Sequence, residues 1–503
     1  MDTIGQKLLY TLSAKNAISS VLTDANIEVP QAFGDYAATI SAHIGTPAEE
    51  AHDVEFIDYD GTSLHRYTFE EAAALTAMPE LPTRSGFTNE GWNYTLAELT
   101  TAVAQEKRVI VGCTYITDDD ITKIYVTLPP DDLTLSIAFA QTETSSVALD
   151  WGDESEINVA GSKNQMARSH TYQQAGDYVV TLTPRKSYAT LILGGNIGGS
   201  GAAANNQKIS NVAIGKVYGL SSYIFSQCDN LSAVSFPKDA IIKDYACDGM
   251  TKLESFVLPN TLTSIPYYMF AYCSHLKKVS IPPTITTMIS SAFYGCADLM
   301  EMPLVNINTL APYGFQRCSE LKWVQAKDVT SIPNHCFYGC GALTALDTAP
   351  ISEVMGNSFY GCEALESIGT TTLTSFGSGK EVFAYCDNLR EVGTLQIPAN
   401  SHNGNRPKID ANCFADCKSL HTLVVVPDDS LSSLYIGSGA FQQSGITTFD
   451  FTACTQVPEL ANVNAFSNTP SDKKILVPGG LMSAWKTKTN WSNNSIVNSI
   501  IGV

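Results

Sequence analysis

The sequence predicts a multidomain, mainly β chain that ends in a long solenoid. The pattern F-x-x-C-x-x-L recurs about ten times, and six of its aromatic positions (Phe270, Phe293, Phe315, Phe337, Phe359 and Phe383) step by 23, 22, 22, 22 and 24. A fixed period in this range is the mark of stacked coils. The repeat can be written as running on into L-x-x-[VL]-x-[IFL]-P, as in Leu276-Lys-Lys-Val279-Ser-Ile281-Pro282. Alternation puts Val and Ile on one face of a strand, and Pro closes the strand because it cannot donate to a ladder. The chain's 503 residues also exceed what one core can organise.

The elements follow in order. Residues 1–50 carry Ile4, Leu8 and Leu12 on one helical face, with a break at Val29-Pro30 and a second short helix from Phe33 to Ile44. This segment is expected to anchor or oligomerise the protein. Residues 51–113 read as a small α+β unit: a strand Val54–Tyr59, a turn at Asp60-Gly61 and a return strand Leu64–Tyr67. Thr68-x-x-Glu71 is a capping box opening a helix Phe69–Leu75, Thr95–Ala104 is a second helix and Arg108–Cys113 a buried strand. Residues 114–190 hold the β-rich runs Ile124–Leu128, Leu133–Phe139, Ser146–Trp151 and Tyr178–Leu182, at sandwich spacing. The Gly-, Ala- and Asn-rich stretch 191–210 reads as a linker without a phosphate-binding pattern. The solenoid occupies 211–503. Its F-x-x-C-x-x-L segment, with period 3 to 4, is expected to be a turn of helix with Phe, Cys and Leu pointing inward. Ile475-x-Val477-Pro478, Trp485 and Trp491 are expected to cap the last coil, within about 475–503.

Three resemblances add to this. Met78–Trp92, with its P-x-x-P-x-x-x-G-F-x-x-x-G-W spacing, resembles the internalin-type B-repeat, which implies a β-grasp-like module. Trp151-Gly152-Asp153, His170-Thr171-Tyr172 and Gly176-Asp177-Tyr178 resemble a polycystic-kidney-disease (PKD) type immunoglobulin-like domain, although Glu154 stands where that family has Gly. That resemblance implies structural roles: Trp151 in the core, Asp153 capping a turn and His170 a buried partner. Calcium binding by Asp153, Glu154 and Asp177 is the weaker functional reading. From about 211 the repeat resembles the BspA-like leucine-rich repeat family of bacterial and protist surface adhesins and phage virion proteins.

Composition narrows the function classes. A net charge of −20, from 30 Lys+Arg and 50 Asp+Glu, disfavours nucleic acid and anionic membrane as partners. Eight of the 13 cysteines fill the repeat's Cys slot, which makes them small buried hydrophobes rather than metal ligands or disulfide halves. The N-terminus shows no basic region followed by an apolar stretch, so a secretory signal is not expected, and no apolar run is long enough to span a bilayer. No catalytic motif is found and no cofactor is expected; a carboxylate pair for glycoside hydrolysis need not be close in sequence.

The preferred reading is a non-enzymatic bacteriophage structural protein: a tail fibre, receptor-binding or head-decoration protein, with an attachment stalk followed by a recognition head. It would bind other virion proteins through its N-terminal region and a host-surface protein or glycan through the solenoid. The habits of fibre proteins point to a homo-oligomer, a trimer. The alternative is a bacterial cell-surface adhesin, and the weakest reading a glycan-active enzyme with accessory modules. Candidate binding residues are Tyr272, Tyr294, Tyr338, Tyr360 and Tyr385 in the turns, which stacking would align as ladders that either shield neighbouring coils or grip a ligand. His402, Asn403 and Asn405 join them, in the polar loop that lengthens one step to 31 residues.

Overall fold

The computed structural model describes residues 53–503 apart from 142–145, 160–165, 185–190, 194–205, 216, 221, 370–371, 374, 377–378, 399–406 and 430–432. The helices expected over 1–50 and the 400–405 loop lie outside the described residues.

The α+β unit is built from β1 (Val54–Ile57), β2 (Ser63–Tyr67), α1 (Phe69–Ala73), β3 (Phe87–Trp92), α2 (Leu96–Ala104) and β4 (Val109–Thr117). Its sheet has the order β2-β1-β4-β3, with β1 and β4 parallel at the centre. Both helices start on complete capping boxes, Thr68 with Glu71 and Thr95 with Glu98, which supply partners for otherwise orphaned first-turn N–H groups.

The sandwich follows: β5 (Thr122–Leu128), β6 (Thr134–Gln141), β7 (Val147–Asp150), β8 (Glu156–Val159), β9 (Met166–Thr171) and β10 (Gly176–Pro184). The stretch expected to be a linker is in part sandwich. β11 (Leu191–Leu193) pairs with β6, β12 (Ile209–Ala213) pairs with β5, and β13 (Val217–Leu220) pairs with β11. The two sheets are therefore β12-β5-β10-β7-β8 and β13-β11-β6-β9. The Gly-, Ala- and Asn-rich composition around them hid these short strands, whose pairing is supplied by neighbours distant in sequence.

Trp151 is buried and stacks on His170 at 5.1 Å, while the Tyr172 hydroxyl donates to the Trp151 carbonyl at 2.8 Å. Asp153 Oδ2 lies 2.7 Å from His170 Nε2, and Asp153 Oδ1 accepts from Ser155. Burial would raise the Asp153 carboxyl, but hydrogen bonds from Ser155 and His170 hold it below its ordinary value. Glu154 sits at φ +70°, the conformation for which glycine is the easier residue.

In the solenoid each coil contributes a short strand such as Ser255–Val257, Lys278–Ser280 or Trp323–Ala326, paired parallel to the next, and a second two-residue strand such as Ser264–Ile265 or Ser331–Ile332. The Phe rings stack along the axis. Phe270, Phe293, Phe315, Phe337, Phe359 and Phe383 follow one another at centroid spacings of 5.3 to 5.6 Å and within 13° of parallel. One continuous buried core runs from Ile124 in the sandwich to Ile500, so the sandwich closes the solenoid's first end.

The F-x-x-C-x-x-L segment is not a helical turn. Residues two before and two after each Phe have left-handed backbone: Tyr268 and Tyr272 around Phe270, Tyr313 and Arg317 around Phe315, Glu381 and Tyr385 around Phe383. This makes N–H groups at alternate positions face the next coil. Tyr313, Phe315 and Arg317 donate to the carbonyls of Asn334, Cys336 and Tyr338 at 3.1, 2.9 and 2.7 Å. Left-handed geometry costs a residue with a Cβ roughly 1–2 kcal/mol, and the coil-to-coil hydrogen bonds oppose that cost.

The Phe carbonyl, which accepts from the Cys N–H three residues on, takes a second donor from the next coil. Cys296, Cys318, Cys340, Cys362 and Cys386 each direct Sγ at the carbonyl of the preceding coil's Phe, at 3.0 to 3.1 Å. Burial pushes the Cys296, Cys340, Cys386 and Cys417 thiols well above their ordinary range, so they remain protonated donors. The thiols are thus more than space-fillers. All 13 cysteines are free and buried.

Among the described residues the α+β part of the expected stalk does not stand away from the solenoid. The α+β unit folds back against the flank of the solenoid. Asn93 Nδ2 donates to Ser280 Oγ at 2.8 Å and the Tyr94 hydroxyl to the Ile281 carbonyl at 2.8 Å. Buried Glu55 pairs with Lys278 at 2.8 Å, Lys107 with Asp328 at 2.8 Å, and the Arg108 guanidinium lies 4.9 Å over Trp323. Gly112 permits the close approach, because a Cβ there would lie 2.7 Å from Val257 Cγ1 and closer still to Cγ2. Gly112→Ala is expected to destabilise the protein by about 1–3 kcal/mol through overpacking and to speed proteolysis of the α+β unit. An unchanged denaturation midpoint and cleavage rate would refute the docking.

Candidate functional site

The turns, with their left-handed residues, line up along one edge of the solenoid and carry a ladder of rings. Tyr223 stacks on Tyr245 at 4.4 Å, Tyr245 on Tyr268 at 5.1 Å, and Tyr268 lies 6.4 Å from Tyr294. Farther along, Tyr313 stacks on His335 at 4.8 Å, His335 lies 5.8 Å from Tyr338, and Tyr338 stacks on Tyr360 at 4.5 Å and 3°. The Arg317 guanidinium, 5.9 Å from the Tyr294 ring, stands between the two runs.

All five tyrosines singled out in the sequence belong to this edge. Tyr272 and Tyr385 are half exposed and meet Tyr294 and Tyr360 edge-on, at 5.1 and 5.2 Å and 63°. Tyr294, Tyr338 and Tyr360 are only partly exposed, and the Tyr338 and Tyr360 faces cover one another. Ring faces inside the stack are therefore not open to a sugar; edges and phenol groups are. Tyr272 and Tyr385 are the most exposed rings on this edge. His402, Asn403 and Asn405 lie outside the described residues.

Sequence reading missed Tyr223, Tyr245, Tyr268, Tyr313 and His335. Apart from Tyr245, whose coil carries Cys247 in place of Phe, they occupy the position two before Phe, and that recurrence was the available signal.

His335 gives the edge a pH response. Burial lowers its pKa, against the opposing pull of Glu381, and its Nδ1 is buried without a hydrogen-bond partner among the described residues. The native state therefore favours the neutral ring, while the unfolded chain takes up a proton near the ordinary value of about 6.5. Stability present above that pH is lost as pH falls through it toward the depressed native value. His335→Asn, which tolerates the left-handed backbone, is expected to flatten the stability slope below about pH 6.5. An identical slope in urea melts of both proteins would overturn the assignment.

Clefts beside the α+β unit offer less. A cavity of about 380 Å³ is lined by Phe69, Arg108, Trp323, Gln325, Lys327 and Asp347 among others. Its groups already serve one another: Gln325 accepts from the Arg108 N–H at 2.6 Å and donates to Asp347 at 2.6 Å. Among the described residues no three His, Cys, Asp or Glu side chains group as a metal site, and Asp177 instead accepts from Thr127 at 2.7 Å. No described helix is long and apolar enough to cross a membrane.

The model of the BspA type leucine-rich repeat region matches residues 199–322, 300–421 and 330–473, together more than half of the chain. No curated protein gives a match. Among solved structures the chain is similar to a T. pallidum leucine-rich repeat protein, 27% identical, covering 30% of this chain and 72% of that one, with a TM-score of 0.28. A leucine-rich repeat protein from Bacteroides ovatus is 16% identical, over 63% of this chain and 96% of that one, with a TM-score of 0.33. A leucine rich cell surface protein from Faecalibacterium prausnitzii is 19% identical, over 42% and 69%, with a TM-score of 0.25.

Proposed function

The chain belongs to the BspA-type leucine-rich repeat family, and from that premise we propose that it is a non-enzymatic, cell-surface adhesin of bacterial type. It holds a ligand along the turn edge of its solenoid. The observation that carries this reading is the row of exposed rings on that edge, which the core does not require. Tyr223, Tyr272, Tyr313 and Tyr385 keep 38 to 51% of their surface open while occupying left-handed backbone. Large aromatic groups with a polar end are what binding surfaces use.

The virion role preferred from the sequence alone is not adopted here, because the family match favours the surface-protein alternative.

The test is surface labelling. Antibodies against residues 211–503 are expected to label intact cells of the encoding bacterium, and deleting the gene to lower attachment to glycoprotein-coated surfaces. Labelling that appears only after lysis, or only on phage particles, would overturn the proposal.

A further inference from the structure

The position two after each Phe is left-handed in every full coil from Phe225 to Phe441, and in several coils it is glycine: Gly295, Gly339 and Gly361 have φ of 74°, 71° and 69°. Six coils instead place a side chain there, Gln227, Tyr272, Arg317, Tyr385, Asp416 and Gln443, and those in the middle of the array are two aromatic rings and a cation: Tyr272, Arg317 and Tyr385, at φ 60°, 62° and 61°. None of these last three side chains is buried. Strained backbone beneath an exposed side chain marks a residue kept for something other than packing.

The three residues are two and three coils apart, on a repeat of 5.3 to 5.6 Å. Between them the glycine rungs leave an open floor. A Cβ on Gly339 would touch nothing nearer than Arg317 at 3.9 Å, and one on Gly361 nothing nearer than Gly339 at 3.8 Å. Arg317 has no ion-pair partner among the described residues, in a chain whose net charge is −20. A cation without an ion-pair partner, two half-exposed aromatic rings and a bare backbone floor along one line suit an extended ligand that carries both flat apolar faces and a negative charge.

We infer that this line, Tyr272–Arg317–Tyr385, is a binding site for an anionic oligosaccharide lying along the solenoid axis. Arg317 receives the carboxylate or sulfate through charge-assisted hydrogen bonds, and Tyr272 and Tyr385 take the apolar faces of sugar rings. The inference rests on the adhesin reading and deepens it by naming the ligand's chemistry.

The test uses the full chain and titration calorimetry with four probes: a hyaluronan octasaccharide for the carboxylate source, a heparin-derived octasaccharide for the sulfate source, a neutral cello-oligosaccharide and a polyglutamate peptide. One of the two anionic saccharides is expected to bind, and Arg317→Gly to weaken it at least tenfold while Tm stays level or rises, because the strained position is relieved. Tyr385→Gly is expected to weaken it as well. Unchanged affinity in Arg317→Gly, or a fall in its Tm, would make Arg317 a structural residue and overturn the site. Equal binding of the neutral saccharide or of polyglutamate would overturn the ligand class. Binding of no probe by a chain that still labels the cell surface would overturn this inference and leave the adhesin reading standing.

Discussion

Phe337→Ala is expected to destabilise the solenoid by about 3–5 kcal/mol, the usual range for truncating a buried aromatic. Phe337 is fully buried and lies between Phe315 and Phe359, 5.6 Å from each and within 3° and 11° of parallel. Its loss removes two ring contacts, each contributing about 0.5–1.5 kcal/mol beyond area burial. Its carbonyl, which accepts from Cys340 N–H and Cys362 Sγ at 3.1 Å each, would lose the packing that aims it. Because each coil touches only its neighbours, stability here is a sum of interfaces. A break at the fourth of the six stacked rings weakens coupling between the two halves, so denaturant unfolding should become broader or biphasic. Cys362→Ala, which removes one weak donor and little volume, should cost about 1 kcal/mol. A Phe337→Ala loss below about 1 kcal/mol would mean that the Phe stack does not organise the solenoid.

What the sequence revealed and what it concealed divide along a physical line. Features that repeat or sit close along the chain were legible. The Phe, Cys and Leu slots are all buried from Phe270 to Leu420, the Thr68–Glu71 box forms, and Trp485 and Trp491 close the last coil. Features that depend on a partner from another coil or domain were not. The left-handed turns look like a helical period because their inward residues also recur every third or fourth position, and only the coil-to-coil hydrogen bonds of Tyr313, Phe315 and Arg317 select the other conformation. The thiol-to-carbonyl bonds need a donor from one coil and an acceptor from the one before. Gly112 carries no local signal, since its reason is Val257, far along the chain. The candidate site shows the same division: five of its tyrosines were read from sequence, whereas Arg317 became notable only once its backbone was seen to be strained.

Trp491→Ala is expected to open the solenoid's far end, at a cost of about 3–5 kcal/mol to the terminal coils. Trp491 is fully buried, packs 4.6 Å from Trp485 and 5.6 Å from Phe466, and donates its indole N–H to the Pro458 carbonyl at 2.8 Å. Truncation exposes the faces of Phe451, Phe466 and Trp485 together, and leaves a buried carbonyl unpaired for about 1–3 kcal/mol more. Trp491→Phe separates the two effects, because it retains most of the apolar area and loses the donor alone. The consequence should stay local, unlike that of Phe337. An end coil has one neighbour, so fraying propagates inward only as far as the next sound interface. Hydrogen exchange should therefore accelerate in Lys474–Val477 and Ile500–Gly502, which pair with each other, while Ser331–Ile332 and Trp323–Ala326 keep their protection. Uniform loss of protection along the chain would show instead that the coils unfold as one unit, and that the cap holds the whole array rather than its end.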